Sequence, residues 1–203
     1  MIKRKNFNIA IVGLGNIGSN LYSHLTRYKN DINKKNNINL LVKYVYAKNK
    51  SKKRKVKIPK NKWLRNLNEA YKLKDIDVVV ELIGGSEGAA KSLVFNSIKN
   101  KKHVVTANKS LISKYGDELS KLAESKKVNL EFEAAVAGGV PIIRVIKEGL
   151  ITNKINKIYG ILNGTSNYIL SKMSELKMNF SVVLNDAKKL GYAERNTSAD
   201  LNG

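Results

Sequence analysis

The glycine-rich turn over residues 13–18 constrains the fold of this chain more than any other stretch of its sequence. It reads G-L-G-N-I-G, follows an apolar run over residues 7–12 and precedes an amphipathic helix pattern over residues 17–28. Strand, tight turn and helix in this order are the context in which a G-x-G-x-x-G pattern indicates dinucleotide binding. The alternative is an ordinary glycine-rich connection between a strand and a helix.

Each glycine of the turn has its own expected task. Gly13 is predicted to turn the chain with a positive φ angle, and Gly15 to let a pyrophosphate approach the backbone. Gly18 is predicted to let the helix pack close to the strand. The amide N–H groups of Asn16 and Ile17 are expected to point at the phosphates, at the positive end of the helix dipole.

The first 132 residues alternate between strand and helix patterns. Further strands are predicted over residues 38–47, 76–83, 103–106 and 128–132, and further helices over residues 66–73, 87–100 and 116–126. A polar loop is expected over residues 28–37. This alternation predicts an α/β fold with a Rossmann-type, doubly wound parallel sheet over residues 1–132.

The sequence changes character after residue 132, and a second, unfinished domain is predicted over residues 133–203. Residues 134–140 are small and glycine-rich, and a helix is expected to start at Pro141. A strand is predicted over residues 155–162, followed by helices over residues 165–176 and 181–190. Gly191 is expected to stop the last helix.

The composition is that of a globular, cytoplasmic protein. Hydrophobic residues make up 42% of the 203 residues, and no apolar run approaches the ~20 residues of a membrane-spanning helix. The amino terminus leads directly into the first strand pattern, so we expect no signal peptide. The absence of cysteine excludes disulfides and thiolate metal sites. The formal net charge of +22 favours polyanions in general, but no nucleic-acid-binding module accompanies the scattered lysines, so we expect no specific nucleic-acid partner.

The residues after the second predicted strand suggest the type of cofactor. NAD-binding sites commonly carry a carboxylate there, ~20 residues past the glycine turn, to bind the ribose 2′-hydroxyl. Here Ala47 is followed by a cationic run without a carboxylate, formed by Lys48, Lys50, Lys52, Lys53 and Arg54. Such a run suits a 2′-phosphate, so NADP is favoured over NAD. The alternative is a solvated lysine-rich loop.

Two further stretches carry candidate chemistry. Lys109 follows a predicted strand in T-A-N-K, where it faces the same crevice as the glycine turn and can donate a proton or orient a carbonyl oxygen. The alternative is a surface lysine. Residues 163–168, N-G-T-S-N-Y, form a polar strand-to-helix turn that can bind a carboxylate or amide, or simply cap the helix.

Taken together, these stretches resemble homoserine dehydrogenase. The matching segments are G-L-G-N-I-G (13–18), V-V-V-E-L-I-G-G (78–85), V-V-T-A-N-K (104–109), E-A-A-V-A-G-G-V-P-I-I (133–143), G-I-L-N-G-T-S-N-Y-I-L (160–170) and G-Y-A-E (191–194). The resemblance spans nearly the whole chain, in order. That family reduces L-aspartate 4-semialdehyde to L-homoserine with NAD(P)H, on the route to threonine, methionine and isoleucine.

The resemblance implies roles for residues of both domains. Lys109 would contact cofactor and substrate, Glu194 would bind the substrate, and Ile83 and Gly191 would belong to the cofactor site. Lys48 stands where NADP-using members often carry arginine. The second domain would be the beginning of an α+β catalytic and dimerisation domain, and the full-length form a homodimer.

The resemblance also implies a monovalent-cation site. Its ligands would be Glu133 and the backbone carbonyl groups of Val136, Gly138 and Val140. An all-oxygen ligand set suits a hard cation such as Na⁺.

The sequence departs from the family pattern after G-Y-A-E. The family continues with a substrate-binding aspartate and a second lysine that donates the proton, whereas this sequence stops at Gly203 and its Asp200 does not match that aspartate. We interpret the sequence as the amino-terminal part of a homoserine dehydrogenase, inactive in this form. Two alternatives remain, a non-catalytic NADP-binding module and a basic protein that binds nucleic acid.

Overall fold

Five parallel strands form the sheet that the alternating sequence predicts. The computed structural model describes residues 5–161 and 164–190, and the chain divides into two compact units, Met1–Ala135 and Val136–Gly203. The order of the strands across the sheet is β2-β1-β3-β4-β5. The strands are β1 (Lys5–Val12), β2 (Ile38–Tyr46), β3 (Val78–Glu81), β4 (His103–Thr106) and β5 (Leu130–Glu131).

Helices cover both faces of this sheet, as a doubly wound fold requires. They are α1 (Asn16–Arg27), α2 (Lys29–Asn36), α3 (Glu69–Lys72), α4 (Ala89–Lys99) and α5 (Lys109–Lys126). Because side chains alternate along a strand, Ile9 and Ile11 of β1 pack in one cluster with Tyr22 of α1. Val12 packs in a second cluster with Leu93 of α4, on the opposite face. The expected Rossmann-type architecture is confirmed.

The carboxyl ends of four strands lie on one row across the sheet. Val12 pairs with Tyr46 on one side and with Glu81 on the other, and Glu81 pairs with Thr106. The chain leaves β1 towards β2 in one direction and later fills β3, β4 and β5 in the other. In open α/β sheets, ligands bind outside the carboxyl ends of the strands at this reversal.

Two predictions in the first unit need correction. The polar loop expected over residues 28–37 is wrong, because this segment contains α2, which Asn33 ties to β2 by accepting the amide N–H of Leu40 at 2.9 Å. The helix expected from residue 116 begins at Lys109 instead, because the side chain of Asn108 caps it by accepting the amide N–H of Leu111.

The second unit contains three helices among its described residues. They are α6 (Ile142–Arg144), extended by a π-helical turn (Val145–Gly149), α7 (Gly164–Leu176) and α8 (Phe180–Lys189). Pro141 is the N-cap of α6, and α7 and α8 pack through Ile169, Val183 and Ala187. These helices confirm the helix predictions. The domain boundary after residue 132 stays a prediction, and Gly191 lies outside the described residues.

The strand predicted over residues 155–162 is wrong for its described part. Residues 155–161 form no strand, and the side chains of Ile155 and Ile158 are exposed. An apolar run becomes a strand only where a neighbouring strand completes its ladder, and the described residues supply none there.

Across the described part of the chain, no helix combines the length and hydropathy that a membrane crossing requires.

Candidate functional site

Gly13 makes the sharp turn that carries the chain out of β1. Its φ angle is +102°, as the sequence predicts, and its N–H donates to the carbonyl oxygen of Tyr46 at 2.9 Å. A Cβ at this position would collide with the carbonyl group of Leu82. Gly13 therefore allows both the left-handed backbone and the close approach of the chain after β3.

Gly18 and Gly15 have opposite surroundings. A Cβ on Gly18 would overlap the carbonyl oxygen of Gly13, so this glycine lets α1 pack directly on the turn. A Cβ on Gly15 would meet no atom within 4 Å. The fold thus requires Gly13 and Gly18 to be glycine, whereas Gly15 leaves open space at the N-terminus of α1. That open space is the cradle in which a ligand can approach the backbone.

A cavity of about 530 Å³ opens above Gly15. Lys48, at the end of β2, lines one part of it, and Leu67, Ile83 and Ala89 supply apolar wall. Its volume lies in the range of small-molecule sites. The combination of a helix N-terminus, a lysine and an apolar wall suits a ligand that carries both phosphates and aromatic rings.

A second cavity of about 440 Å³ shares Gly15 and lies beside the first turn of α1. Its lining combines Asn16 and Ser19 of α1 with Lys52 and Lys53 of the loop after β2. The first amide N–H groups of a helix have no acceptor within the helix, and the helix dipole places partial positive charge there. Asn16 lines this cavity, whereas Ile17 lines neither of the two cavities beside Gly15. The phosphate contacts of both residues stay a prediction.

Arg54 lines both cavities beside Gly15, and its guanidinium is hydrogen-bonded to backbone carbonyl groups of the loop after β2 and of the glycine turn. Its Nε donates to the carbonyl oxygen of Leu14 at 3.2 Å, and its Nη1 donates to those of Lys50 and Lys52 at 3.0 and 2.8 Å. Its Nη2 donates to the carbonyl oxygen of Asn49 at 2.5 Å. The sequence analysis grouped Arg54 with the lysines, but these bonds make it a clamp between the loop and the glycine turn.

Glu81 is a buried carboxylate at the end of β3 that the sequence analysis did not single out. It is 0% exposed. Its Oε1 accepts the amide N–H groups of Ile83 at 2.7 Å and Gly84 at 3.1 Å, and its Oε2 accepts the hydroxyl of Thr106 at 2.6 Å. The one available signal was a charged residue inside the otherwise apolar run over residues 78–83. Such a residue needs partners when it is buried.

Lys109 begins α5 at the same edge of the sheet as the glycine turn. Asn108, immediately before it, donates its N–H to the hydroxyl of Thr106 at 3.0 Å and its Nδ2 to the carbonyl oxygen of Gly85 at 2.7 Å. The side chain of Lys109 is exposed. A lysine in the first turn opposes the helix dipole, so helix stability does not explain its position.

A surface cluster holds the glycine-rich loop after β3 against α5. Glu87 of this loop accepts hydrogen bonds from Lys114, at 2.6 Å, and from the hydroxyl of Tyr115. Lys91 lies over the ring of Tyr115, 4.0 Å from its centroid. The Lys114 ammonium and then the Tyr115 hydroxyl lower the pKa of the Glu87 carboxyl to about 2.

The predicted cation ligands belong to two segments. Glu133 starts a 3₁₀ turn (Glu133–Ala135). Val136, Gly138 and Val140 belong to the second unit, in a segment whose φ angles are +45° at residue 137 and +90° at residue 139. Within the described ranges, no three His, Cys, Asp or Glu side chains come together as a metal site. The backbone-carbonyl site stays a prediction.

The remaining predicted site residues lie in the sequence at the start of α7 or after the end of α8. α7 begins at Gly164, within N-G-T-S-N-Y, and Thr165 of that segment is buried. Asn163, Gly191 and Glu194 lie outside the described residues. The anion-binding role of N-G-T-S-N-Y stays a prediction.

Comparisons with known proteins agree in one respect. The family model of the homoserine dehydrogenase NAD-binding domain matches residues 13–133, and that of homoserine dehydrogenase matches residues 141–203. The homoserine dehydrogenase of Neisseria gonorrhoeae is 42% identical over 199 residues, which cover 98% of this chain and 45% of that protein. The chain thus spans about half the length of that relative.

Solved structures give the same result. A homoserine dehydrogenase from Thiobacillus denitrificans superposes with a TM-score of 0.85 at 39% identity, over 98% of this chain and 46% of that one. A hyperthermophilic archaeal homoserine dehydrogenase in complex with NADPH shares the fold, with a TM-score of 0.79 at 24% identity, over 98% of this chain and 65% of that one.

Proposed function

The chain belongs to the homoserine dehydrogenase family, and we propose that it supplies the NADPH-binding part of an enzyme that reduces L-aspartate 4-semialdehyde to L-homoserine. The observation that carries this proposal is the open space at Gly15, the one glycine of the turn that packing does not require. The pyrophosphate of a nicotinamide cofactor can approach the backbone at Gly15 because no Cβ occupies this space.

The residues that would hold NADPH divide by chemistry. The first amide N–H groups of α1, at Asn16 and Ile17, suit the pyrophosphate. Lys48, on the wall of the larger cavity, suits a ribose 2′-phosphate, and Leu67 and Ala89 offer an apolar surface for the adenine ring. No carboxylate lines this cavity where the 2′-hydroxyl of NAD would be bound, which supports NADP over NAD.

Bound NADPH supplies a hydride to the aldehyde carbon of the substrate. Lys109, at the same edge of the sheet as the glycine turn, holds positive charge where the aldehyde oxygen gains negative charge, and so orients that oxygen. Glu194 binds the substrate and Gly191 contributes to the cofactor site, as the family resemblance implies. The proton that completes the alcohol comes from the second lysine of the family pattern.

A monovalent cation such as Na⁺ belongs to the same proposal. The donor set of Glu133 and the carbonyl groups of Val136, Gly138 and Val140 contains only oxygen, and a hard cation prefers oxygen. Its expected role is to hold these segments in place. Stability that rises with added NaCl, but not with choline chloride at equal ionic strength, supports it.

The partners proposed are the small-molecule substrate and, in the full-length form, a second copy of the protein. Exposed apolar side chains of the second unit, among them Ile151 and Tyr159, are consistent with a surface that another element or chain covers. A specific nucleic-acid partner is not proposed, because the lysines accompany no nucleic-acid-binding module. A cytoplasmic location is supported by the absence of cysteine.

Fluorescence titration of the 203-residue chain with NADPH tests the proposal. We expect saturable binding, with competition by adenosine 2′,5′-bisphosphate, which carries the adenine and the 2′-phosphate without the nicotinamide. Absence of binding by both ligands, together with binding of single-stranded DNA that weakens steeply with salt, would favour a nucleic-acid-binding function instead.

A further inference from the structure

Glu81 is the most deeply buried charged residue in the described part of the chain, and the proposed chemistry gives it no task. It ends the apolar strand β3, is 0% exposed and pairs in register with Val12 and Thr106. Burying a carboxylate is costly unless hydrogen bonds replace its hydration. An apolar residue would fill the same place without that cost, so the carboxylate is explained by what it binds.

The two oxygens of Glu81 bind two different segments at the edge of the sheet. Oε1 accepts the amide N–H groups of Ile83 and Gly84, in the loop that leaves β3. Oε2 accepts the hydroxyl of Thr106, the last residue of β4. The carboxylate therefore joins the loop after β3 to the end of β4, where α5 is about to begin.

These bonds continue into a closed ring. The hydroxyl of Thr106 accepts the N–H of Asn108, and the side chain of Asn108 donates to the carbonyl oxygen of Gly85. Gly84 and Gly85 have φ angles of +87° and +81°, and a Cβ on either would meet no atom within 4 Å. No side-chain packing is needed for the pair's positive φ angles, and the bonds of Gly84 and Gly85 to Glu81 and Asn108 hold the pair in this conformation.

The two residues next to the ring follow neighbouring strands, β3 and β4, at the carboxyl edge of the sheet. Ile83, which is 41% exposed, lines the larger cavity, and Lys109 follows the ring residue Asn108 as the first residue of α5. Lys48, which also lines that cavity, precedes the loop that Arg54 holds through the carbonyl groups of Asn49 and Lys50, and none of these bonds involves the ring.

We propose that Glu81 is a positioning residue that fixes the part of the cofactor site formed by Ile83 and Lys109, without touching the ligand. This inference rests on the proposed function and assigns that part to the nicotinamide end of NADPH. The adenine and 2′-phosphate end is then independent of Glu81. Loss of the ring should therefore weaken the binding of NADPH, which has a nicotinamide end. It should not weaken the binding of a ligand that carries only the adenine and the 2′-phosphate.

The test compares NADPH with adenosine 2′,5′-bisphosphate by calorimetric titration of the 203-residue chain. Glu81→Gln removes the negative charge and replaces one acceptor oxygen by an amide that donates. Thr106→Val removes the hydroxyl that bonds to both Glu81 and Asn108. Both substitutions change the side-chain volume little. We expect each to weaken NADPH about tenfold or more, since bonds to buried charged groups are strong, and to leave adenosine 2′,5′-bisphosphate within about twofold. Thr106→Ser keeps the hydroxyl and is expected to restore NADPH binding.

Two variants guard the comparison against loss of folding. Ser97→Ala removes another fully buried hydroxyl, which donates to the carbonyl of Leu93 within its own helix, and is expected to leave both affinities unchanged. Asn108→Ser keeps a capping hydroxyl but loses the bond to Gly85. It is expected to weaken the binding of NADPH but not that of adenosine 2′,5′-bisphosphate, so it tests the inference even if Glu81→Gln does not fold.

The outcomes separate the inference from the proposed function. Equal weakening of both ligands in folded variants would make Glu81 a structural residue only, and unchanged NADPH binding would leave the ring without a role in the site. Either result overturns the inference while the proposed function stands. Failure of the unmodified chain to bind either ligand would instead overturn the proposed function.

Discussion

The carbonyl oxygen of Gly13 lies so close to the Cα of Gly18 that a Cβ on Gly18 would overlap it, so the turn and the first helix meet backbone to backbone at this point. This contact explains why residue 18 is glycine, and the positive φ angle together with the carbonyl group of Leu82 explains residue 13. Packing does not explain Gly15, whose missing Cβ faces open space, and the proposed function assigns that space to a ligand. The contrast makes the motif testable position by position.

Gly15→Val is expected to abolish NADPH binding while the chain stays folded. A Cβ at this position meets no protein atom within 4 Å, so the valine side chain is expected to fill the space above the N-terminus of α1. Fluorescence titration and thermal unfolding measure the two effects. The matched control is Gly18→Ala, expected to destabilise the fold by about 1–3 kcal/mol through overpacking against Gly13. Normal NADPH binding by Gly15→Val would make the turn purely structural.

Lys48→Ala is expected to weaken NADPH about tenfold or more and to leave NADH nearly unchanged. Lys48 lines the larger cavity, and a charge-assisted bond to a 2′-phosphate is the only interaction that NADH lacks. Lys50→Ala is the matched control, because Lys50 belongs to the same run without lining either of the two cavities beside Gly15. Equal losses for the two lysines would indicate only general attraction by a basic loop.

Arg54→Lys is expected to weaken NADPH and NADH together. The charge is kept, but a lysine cannot reproduce the fork that binds the carbonyl groups of Leu14, Lys50, Lys52 and Asn49. The loop then loses its clamp on the glycine turn. Parallel titrations with both cofactors measure the change, and a loss confined to NADPH would mean that Arg54 binds the 2′-phosphate itself.

The pKa of Glu87 is expected to be about 2 in the folded chain, against an ordinary 4.5. Because folding lowers this pKa, the bonds of Glu87 stabilise the folded state fully above pH 4.5, and the stabilisation is lost as the pH falls towards 2. Carbon-13 titration of the carboxyl group measures the value. Lys114→Met removes the largest cause and is expected to raise it towards 4.5. An unchanged pKa in that variant would show that the overall positive charge lowers it instead.

The glycine turn and the alternation of elements were predictable from the sequence because their causes are local. A positive φ at Gly13 and the strand pattern of residues 7–12 depend on sterics and side-chain alternation within a few residues. The same local rules, together with the parallel arrangement of the strands, predicted that Lys109 would lie at the edge of the sheet that carries the glycine turn. The family resemblance also predicted roles for residues such as Glu133 and Glu194, which no local rule assigns to a site.

Only the tertiary structure decided the partners of the polar groups. Thr106 and Glu81 lie 25 positions apart, and their hydrogen bond exists because β3 and β4 pair in register. The bonds of Arg54 likewise depend on how the loop after β2 returns to the glycine turn. The missing strand at residues 155–161 has the same origin. The local sequence determines which backbone conformations a segment favours. Its hydrogen-bond partners and neighbouring strands depend on which distant segments the fold brings together.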